Sequence, residues 1–434
     1  MTAEPSAPPT GAPGPLHGVR VIEVCDQRGA FAGKLLADAG AAVIKVEPPD
    51  GDPTRRYPPF LDDEPGAERS LTFWHYNTSK QGVTLDLEQE RGRTLFRRLV
   101  ASADMLVESE PPGRMAELRL DYPDLRPLNA GLIMVSITPF GRDGPRAEQQ
   151  ATDLTLMAGG GPVWSCGYDD HDLPPVRGGG DQGYQTGCHF AVLAALVALV
   201  HRDRGGEGQH IDVNMHAAAN VTTEAGSYSW LVARETVQRQ TGRHAAVRQT
   251  MPSQIRCADG RYVNATMAAR RPEHFGRLRE WLEDSGLSEQ FPLTPLLEAG
   301  MRRERIDFSR IAEDDELREI LGAGREVLHF IAERLPAYEF FTEAQQHGFQ
   351  VGVVYAPEEA IEDPHFVARS FPVEVEHPEL GRSFRYPGAP YRFGVSPWRI
   401  RRRAPLLGED NDAVYGALGL SDQERAALRA GGVI

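Results

Sequence analysis

One aspartate is set apart by its neighbours. Asp181 stands in the run Arg177-Gly178-Gly179-Gly180-Asp181-Gln182-Gly183, just ahead of a long apolar segment. Glycines let a ligand approach the backbone and leave amide N–H groups free to face it. A helix start favours negative charge. Together these predict an ionised, partly exposed carboxylate able to act as a nucleophile. The free N–H groups nearby suit an oxyanion formed at a carbonyl carbon. The commoner role for an aspartate in such a place is a helix N-cap, and the local pattern alone favours it. A second carboxylate, Asp153, precedes Leu154–Met157 and reads as the cap of that helix.

Basic residues offer less. Lys80 lies at the entrance of a strand beginning near Val83, where a lysine can meet a phosphate but is more often a solvated surface charge. Arg55, Arg56, Arg91, Arg93, Arg97 and Arg98 make the first hundred residues locally basic. Phosphate binding is one explanation, and pairing with Glu88, Glu90 and nearby acids is the commoner one. His75, His171 and His189 show no metal-ligand spacing, so no metal site is expected. A phosphate-binding GxxxxGK[ST] and a GxSxG elbow are both missing. The letters of Gly178–Gly183 fit GxGxxG, but they follow prolines and not a strand, so the match is accidental.

The elements that must hold these groups are legible from periodicity. Val19–Val24, Lys34–Ala39 and Ala42–Val46 read as strand, helix and strand; Gly82–Leu85, Glu88–Ala101 and Met105–Val107 repeat the unit. Leu132–Ile137 adds a strand, Tyr184–His201 a long helix read as buried, and Ile211–Val213 a further strand before an alanine-rich helix. The fold class is therefore α/β, with helices covering a mostly parallel sheet. Residues 226–340 are more charged and carry amphipathic stretches such as Glu273–Glu283 and Glu313–Leu321, which suits a smaller α+β domain. From residue 341 short strands return (Val351–Tyr355, Val373–Val375, Tyr391–Phe393), and Asp422–Ala430 reads as a helix. The expected division is a disordered tail over 1–15, a large domain over 16–225, the small domain over 226–340, and a C-terminal segment over 341–434.

The bulk numbers bound the partners. A formal charge of −15 over 434 residues repels nucleic acid and anionic membranes, so neither is an expected partner. The greasiest run, Phe190–Val200, is too short to span a bilayer. Four scattered cysteines read as free thiols, and no targeting pattern is visible, so a cytoplasmic location is expected.

Several segments, taken in order, resemble the family III CoA-transferases, a group that includes formyl-CoA and carnitine CoA-transferases and the alpha-methylacyl-CoA racemases. They are LHGVRVIEV, LLADAGAAVIKVEPPDGDPTR, NTSKQGVTLDL, GLIMVSITPFGRDGP, HRDRGGEGQHIDVNM, GVVYAPEEAIEDPHFVAR and RRRAPLLGEDN, and the likeness runs from Leu16 to Ile434. The resemblance implies a large domain shared by the two ends of the chain, a small middle domain, and an interlocked homodimer. It implies no tightly bound cofactor, coenzyme A as co-substrate, and acyl-CoA and carboxylic acid as substrates. Asp181 matches the family's nucleophilic aspartate, with Gly179 and Gly180 beside the bound CoA. Lys80 matches a lysine that contacts CoA, and Gln27 lies where formyl-CoA transferases have a glutamine near the substrate carboxylate. The family's ENFRPG reads Glu108-Ser109-Glu110-Pro111-Pro112-Gly113 here; it loses its arginine, for which Arg114 stands in. The loop Cys25–Ala30 departs from the usual RVLAGP, and no glycine-rich covering loop is evident over 242–253. The expected function is transfer of CoA from an acyl-CoA donor to an acid through a covalent aspartyl intermediate. Alternatives are a racemase, whose histidine is replaced by Thr152, and a non-catalytic acyl-CoA-binding relative.

Overall fold

The computed structural model describes residues 11–434 apart from Thr266, Met267, Ala268 and Ala312, with the side chains of Glu224 and Ala225 left out. Most of the tail expected over 1–15 thus lies outside the described residues. Residues 11–15 are a loop, and Gly14 lies so close to Gly40 that a Cβ on it would meet the Ala39 carbonyl oxygen at 2.5 Å.

The main elements follow in chain order. First come β1 (Arg20–Val24), α1 (Ala30–Asp38), β2 (Ala42–Glu47), α2 (Leu71–Tyr76), β3 (Gln81–Thr84), α3 (Glu90–Val100), β4 (Met105–Glu108), α4 (Arg114–Glu117), β5 (Ile133–Thr138), α5 (Asp153–Gly160), α6 (Gln182–Asp203), β6 (His210–Asn214) and α7 (Met215–Val221). Next are β7 (Gln238–Gln240), β8 (Arg243–Ala246), β9 (Gln254–Arg256), β10 (Tyr262–Ala265), α8 (Pro272–Asp284), α9 (Thr294–Arg302), α10 (Asp315–Ala332), α11 (Ala337–Gln346) and β11 (Val351–Val353). Last are β12 (Pro372–His377), β13 (Arg382–Pro387), α12 (Asn411–Ala417) and α13 (Asp422–Ala430). Tyr391–Phe393 is not a strand; those residues form an irregular segment in which the Tyr391 and Phe393 rings meet edge to face at 5.3 Å.

The chain divides into two units. One comprises Met1–Val163, Arg177–Glu224 and Ile361–Ile434, the other Trp164–Val176 and Ala225–Ala360. The first is built on a six-stranded sheet of order β3-β2-β1-β4-β5-β6, parallel at every pairing. Both faces are covered, which is why its strands are apolar runs instead of alternating ones. Val21, Val43, Val107 and Val135 meet α1 and α6 on one face. Ile22, Ile44, Leu106 and Met134 meet α3, α12 and α13 on the other. The edge strand β3 has its free backbone groups taken by the C-terminal segment: Gly82 N–H donates to Asp410 Oδ2 (2.8 Å), Thr84 N–H to Asn411 Oδ1 (2.9 Å), and the Tyr415 hydroxyl to the Thr84 carbonyl (2.8 Å).

The long helix α6 departs from expectation. Cys188, Ala191, Ala195 and Ala198 bury one face against the sheet, as expected. Phe190, Leu193, Val197 and Val200, spaced by three and four, leave an apolar stripe 37–62% exposed on the other. By length and composition alone the helix is long and apolar enough to cross a membrane, a test that a core helix also passes, and its inner face is core.

The second unit carries a small antiparallel sheet of order β11-β10-β9 and the hairpin β7–β8. Helices α8 to α11 close over Phe275, Leu278, Trp281, Ile320 and Phe340.

Candidate active site

In an open parallel sheet, ligands bind beyond the carboxyl ends of the strands where the strand order reverses. Here that point lies between β1 and β4. The two loops that leave it are tied together. Asp26 N–H donates to Ser109 Oγ (3.1 Å), the Ser109 hydroxyl to Asp26 Oδ1 (3.1 Å), and Ser109 N–H to the Val24 carbonyl (3.1 Å). Gln27 sits half-buried on the first loop, and Arg114 begins α4 after the second. Arg28 is folded back onto Asp26, which holds its guanidinium through both carboxylate oxygens (3.0, 3.0 and 2.8 Å). Arg114 makes ion pairs with the exposed carboxylates of Glu88 and Glu117.

The start of α6 is fastened to this point. The Cys188 thiol donates to the Arg28 carbonyl at 3.1 Å. Burial raises the Tyr184 hydroxyl above its usual range, with Asp153 adding to the shift and Arg28 opposing it. Within the first two turns of α6, Gln185 donates to the Tyr76 hydroxyl (3.1 Å), and His189 meets Phe31 edge-on at 5.3 Å. Phe31 also meets Tyr76 edge-on at 5.9 Å. Burial pushes the neighbouring His75 imidazole down to about 4, so it is neutral at ordinary pH.

Asp181 occupies the N-cap position of α6, yet its side chain makes no capping hydrogen bond. The capping is done by Asp153. That residue is not the cap of α5; Thr152 is, in a reciprocal box with Thr155. Asp153 is 5% exposed and reaches across to α6, accepting from Gly183 N–H (2.7 Å) and Tyr184 N–H (3.1 Å) on Oδ1. Gly183 must be small for this, since a Cβ there would come within 3.0 Å of Asp153 Oδ1. Arg177 Nη1 completes the arrangement, donating to Asp153 Oδ2 (3.1 Å), to the Gly178 carbonyl (3.1 Å) and to the Gly180 carbonyl. Gly178, Gly179 and Gly180 are all exposed, and a Cβ on Gly179 or Gly180 would meet nothing within 4 Å. Gly180 has φ +75°, a conformation that favours glycine.

The electrostatics correct the expectation of a well-stabilised anion. Partial burial holds the Asp181 carboxyl above the usual aspartate range, the like charge of Asp153 adds to the shift, and Arg177 opposes it. The amides that were to stabilise Asp181 are spent on Asp153 instead.

Lys80 also departs from expectation. It is wholly buried, with Nζ 2.7 Å from Glu23 Oε2 and donating to the Ala30 carbonyl (2.8 Å) and Asn77 Oδ1 (2.9 Å). Its ammonium is shut away from water, so a solvated surface charge does not describe it. Arg55 is likewise buried, between Glu47 (2.6 Å) and Glu68 (2.8 Å), while Arg93 and Arg97 pair with Glu90 (2.8 and 2.9 Å). Among the described residues no three His, Cys, Asp or Glu side chains gather as a metal cluster. Sequence reasoning missed Arg177, Tyr76 and Gln185. The position of Arg177, four residues before Asp181, was the one available signal.

A doubly wound α/β unit of this kind is a common setting for small-molecule binding at the switch point. The model of CoA-transferase family III matches residues 16–411, and the chain belongs to that family. It is 32% identical to the succinyl-CoA:(R)-benzylsuccinate CoA-transferase subunit BbsE of Thauera aromatica, over 90% of this chain and 91% of the relative. It is 31% identical to the succinyl-CoA–D-citramalate CoA-transferase of Chloroflexus aurantiacus, over 97% and 98%. A CAIB/BAIF family protein from Brucella suis superposes with a TM-score of 0.75 at 26% identity, covering 94% of this chain and all of that one.

Proposed function

We propose that this enzyme moves CoA from an acyl-CoA donor to a carboxylic acid acceptor through covalent intermediates on Asp181. The observation that carries the reading is the uncapped Asp181 carboxylate beside three exposed glycines. Burial and the like charge of Asp153 hold the Asp181 carboxyl above the usual aspartate range, and a carboxylate so raised is, once ionised, a better nucleophile than one stabilised by hydrogen bonds.

The steps balance without ATP. An Asp181 oxygen attacks the thioester carbon, the C–S bond breaks, and a mixed anhydride forms as CoA leaves as its thiolate. The thiolate attacks the Asp181 carboxyl carbon, the C–O bond breaks, and the donor acid departs as its carboxylate. The acceptor carboxylate then attacks the aspartyl-CoA thioester, releasing the thiolate and forming a second anhydride. Attack of the thiolate on the acceptor carbonyl gives the product and regenerates Asp181. The open backbone at Gly179 and Gly180 suits the approach of the thioester. Gln27 and Arg114, on the two loops of the switch point, are the groups we assign to CoA and substrate. Lys80 is left out of this set.

Transfer is favoured over racemisation. The residue before Asp153 is Thr152, whose hydroxyl is engaged in capping α5. It supplies no second base. The exposed stripe on α6 suits burial against a second copy, in keeping with the homodimer we propose. We place the reaction in the cytoplasm.

The experiment uses succinyl-CoA, the donor in the names of both relatives, with a panel of carboxylic acids. Mass spectrometry of the quenched enzyme is expected to find an adduct on Asp181. Asp181→Ala is expected to abolish transfer while retaining CoA binding; substantial turnover by that variant overturns the reading.

A further inference from the structure

Gly183 and Tyr184 are the second and third residues of α6. Their N–H groups are the ones that an N-cap side chain ordinarily engages. Asp181 is that N-cap, and it is the residue proposed to react. Left to itself, its carboxylate would turn inward and satisfy those two donors. In this structure it does not, because Asp153 arrives from another helix and takes both (2.7 and 3.1 Å). Asp153 is in turn held from the far side by Arg177.

We infer that Asp153 is a positioning residue that keeps Asp181 available for reaction by occupying the helix-terminal amides Asp181 would otherwise cap. This rests on the reading of Asp181 as the nucleophile. Three details of the chain fit the role. Thr152 and Thr155 close the start of α5 between themselves, which frees Asp153 to serve α6. Gly183 gives Asp153 the room to approach. Asp153 spends one oxygen on the amides and the other on the arginine, so its binding capacity is directed at α6 and the glycine run together. A capped Asp181 would be tied down at the helix end and stabilised as an anion, and both effects oppose attack on a thioester. The charged and titratable groups facing Asp181 are Asp153, Arg177 and Tyr76.

Two substitutions separate this role from a merely structural one. Asp153→Ala frees the two amides, and Asp181 is expected to take them. Adduct formation from succinyl-CoA in a single turnover should fall about a hundredfold, with CoA binding retained. Asp153→Asn keeps a carbonyl oxygen for the same amides but removes the negative charge. It should retain most of the adduct rate, and the acid limb of its pH profile should move to lower pH as the like charge disappears. An alanine variant that forms adduct at the native rate overturns the inference. So does an asparagine variant as inactive as the alanine one while remaining folded, because the charge and not the capping would then be what matters. If the alanine variant fails to fold, the asparagine rate and its pH limb still decide. Native enzyme that forms no adduct, with Asp181→Ala still turning over, would instead sink the reading of Asp181.

Discussion

Behind β1 and β2, Glu23, Lys45, Asp52 and Lys80 are shut away from solvent, and each charge meets an opposite one within 3.3 Å. At the start of α6, Asp181 is half-buried beside a second carboxylate, and its side chain makes no capping bond. Both places belong to one unit and both hold charge that is costly to bury. In the first, each charge lies against an opposite one, away from solvent. In the second, the helix-terminal donors go to Asp153, and the neighbouring carboxylate, the proposed nucleophile, is left without them. On the proposed reading, a charge here does chemistry where its satisfaction has been withheld, and the type of residue alone does not tell which case applies.

Substitutions can break or sharpen that contrast. The largest effect is expected for Lys80→Ala, which leaves Glu23 buried with only Lys45 near it, at 3.3 Å. Breaking one side of a buried pair costs about 3–5 kcal/mol, and the presence of Lys45 puts this case at the lower end. Urea unfolding measures it, and CoA affinity of the folded fraction should be unchanged. Gly33→Ala comes next, since a Cβ there would lie 1.6 Å from Glu23 Oε2. Forcing that contact costs about 1–3 kcal/mol by the same assay. Arg177→Gln should reverse the pattern, with little loss of stability and about a tenfold loss in adduct formation. Its acid limb should move to higher pH, because the cation that opposes the raised Asp181 pKa is gone. The smallest effect is Arg114→Ala, within about 0.5 kcal/mol in stability, since its partners Glu88 and Glu117 are exposed. A rise in KM for the acyl-CoA would support its place at the switch point.

Much of the sheet was legible because parallel strands buried on both faces are short apolar runs between turns, as in Ala42–Glu47 and Ile133–Thr138. Tyr391–Phe393 misled because two aromatic residues mimic a strand where no neighbouring strand pairs with them. The stripe on α6 was hidden because an apolar residue reads the same facing a core or facing outward. At the site, Asp181 was visible through its glycines. The state of its carboxylate was not, since that depends on Asp153, 28 positions earlier in the chain, claiming amides that local pattern assigns to the nearest cap. The burial of Lys80 was hidden for a similar reason: its partner Glu23 comes from β1, far away in the chain.

The sealed edge of β3 bears on how the chain is made. Asp410 covers Gly82 from 328 residues further along. During synthesis on the ribosome the first five strands can associate long before their cover exists, so nascent molecules carry a sticky border until translation has passed Asn411. Messages truncated shortly before that codon should yield a product that chaperones retain or that aggregates, even though every residue of the proposed site is already in place.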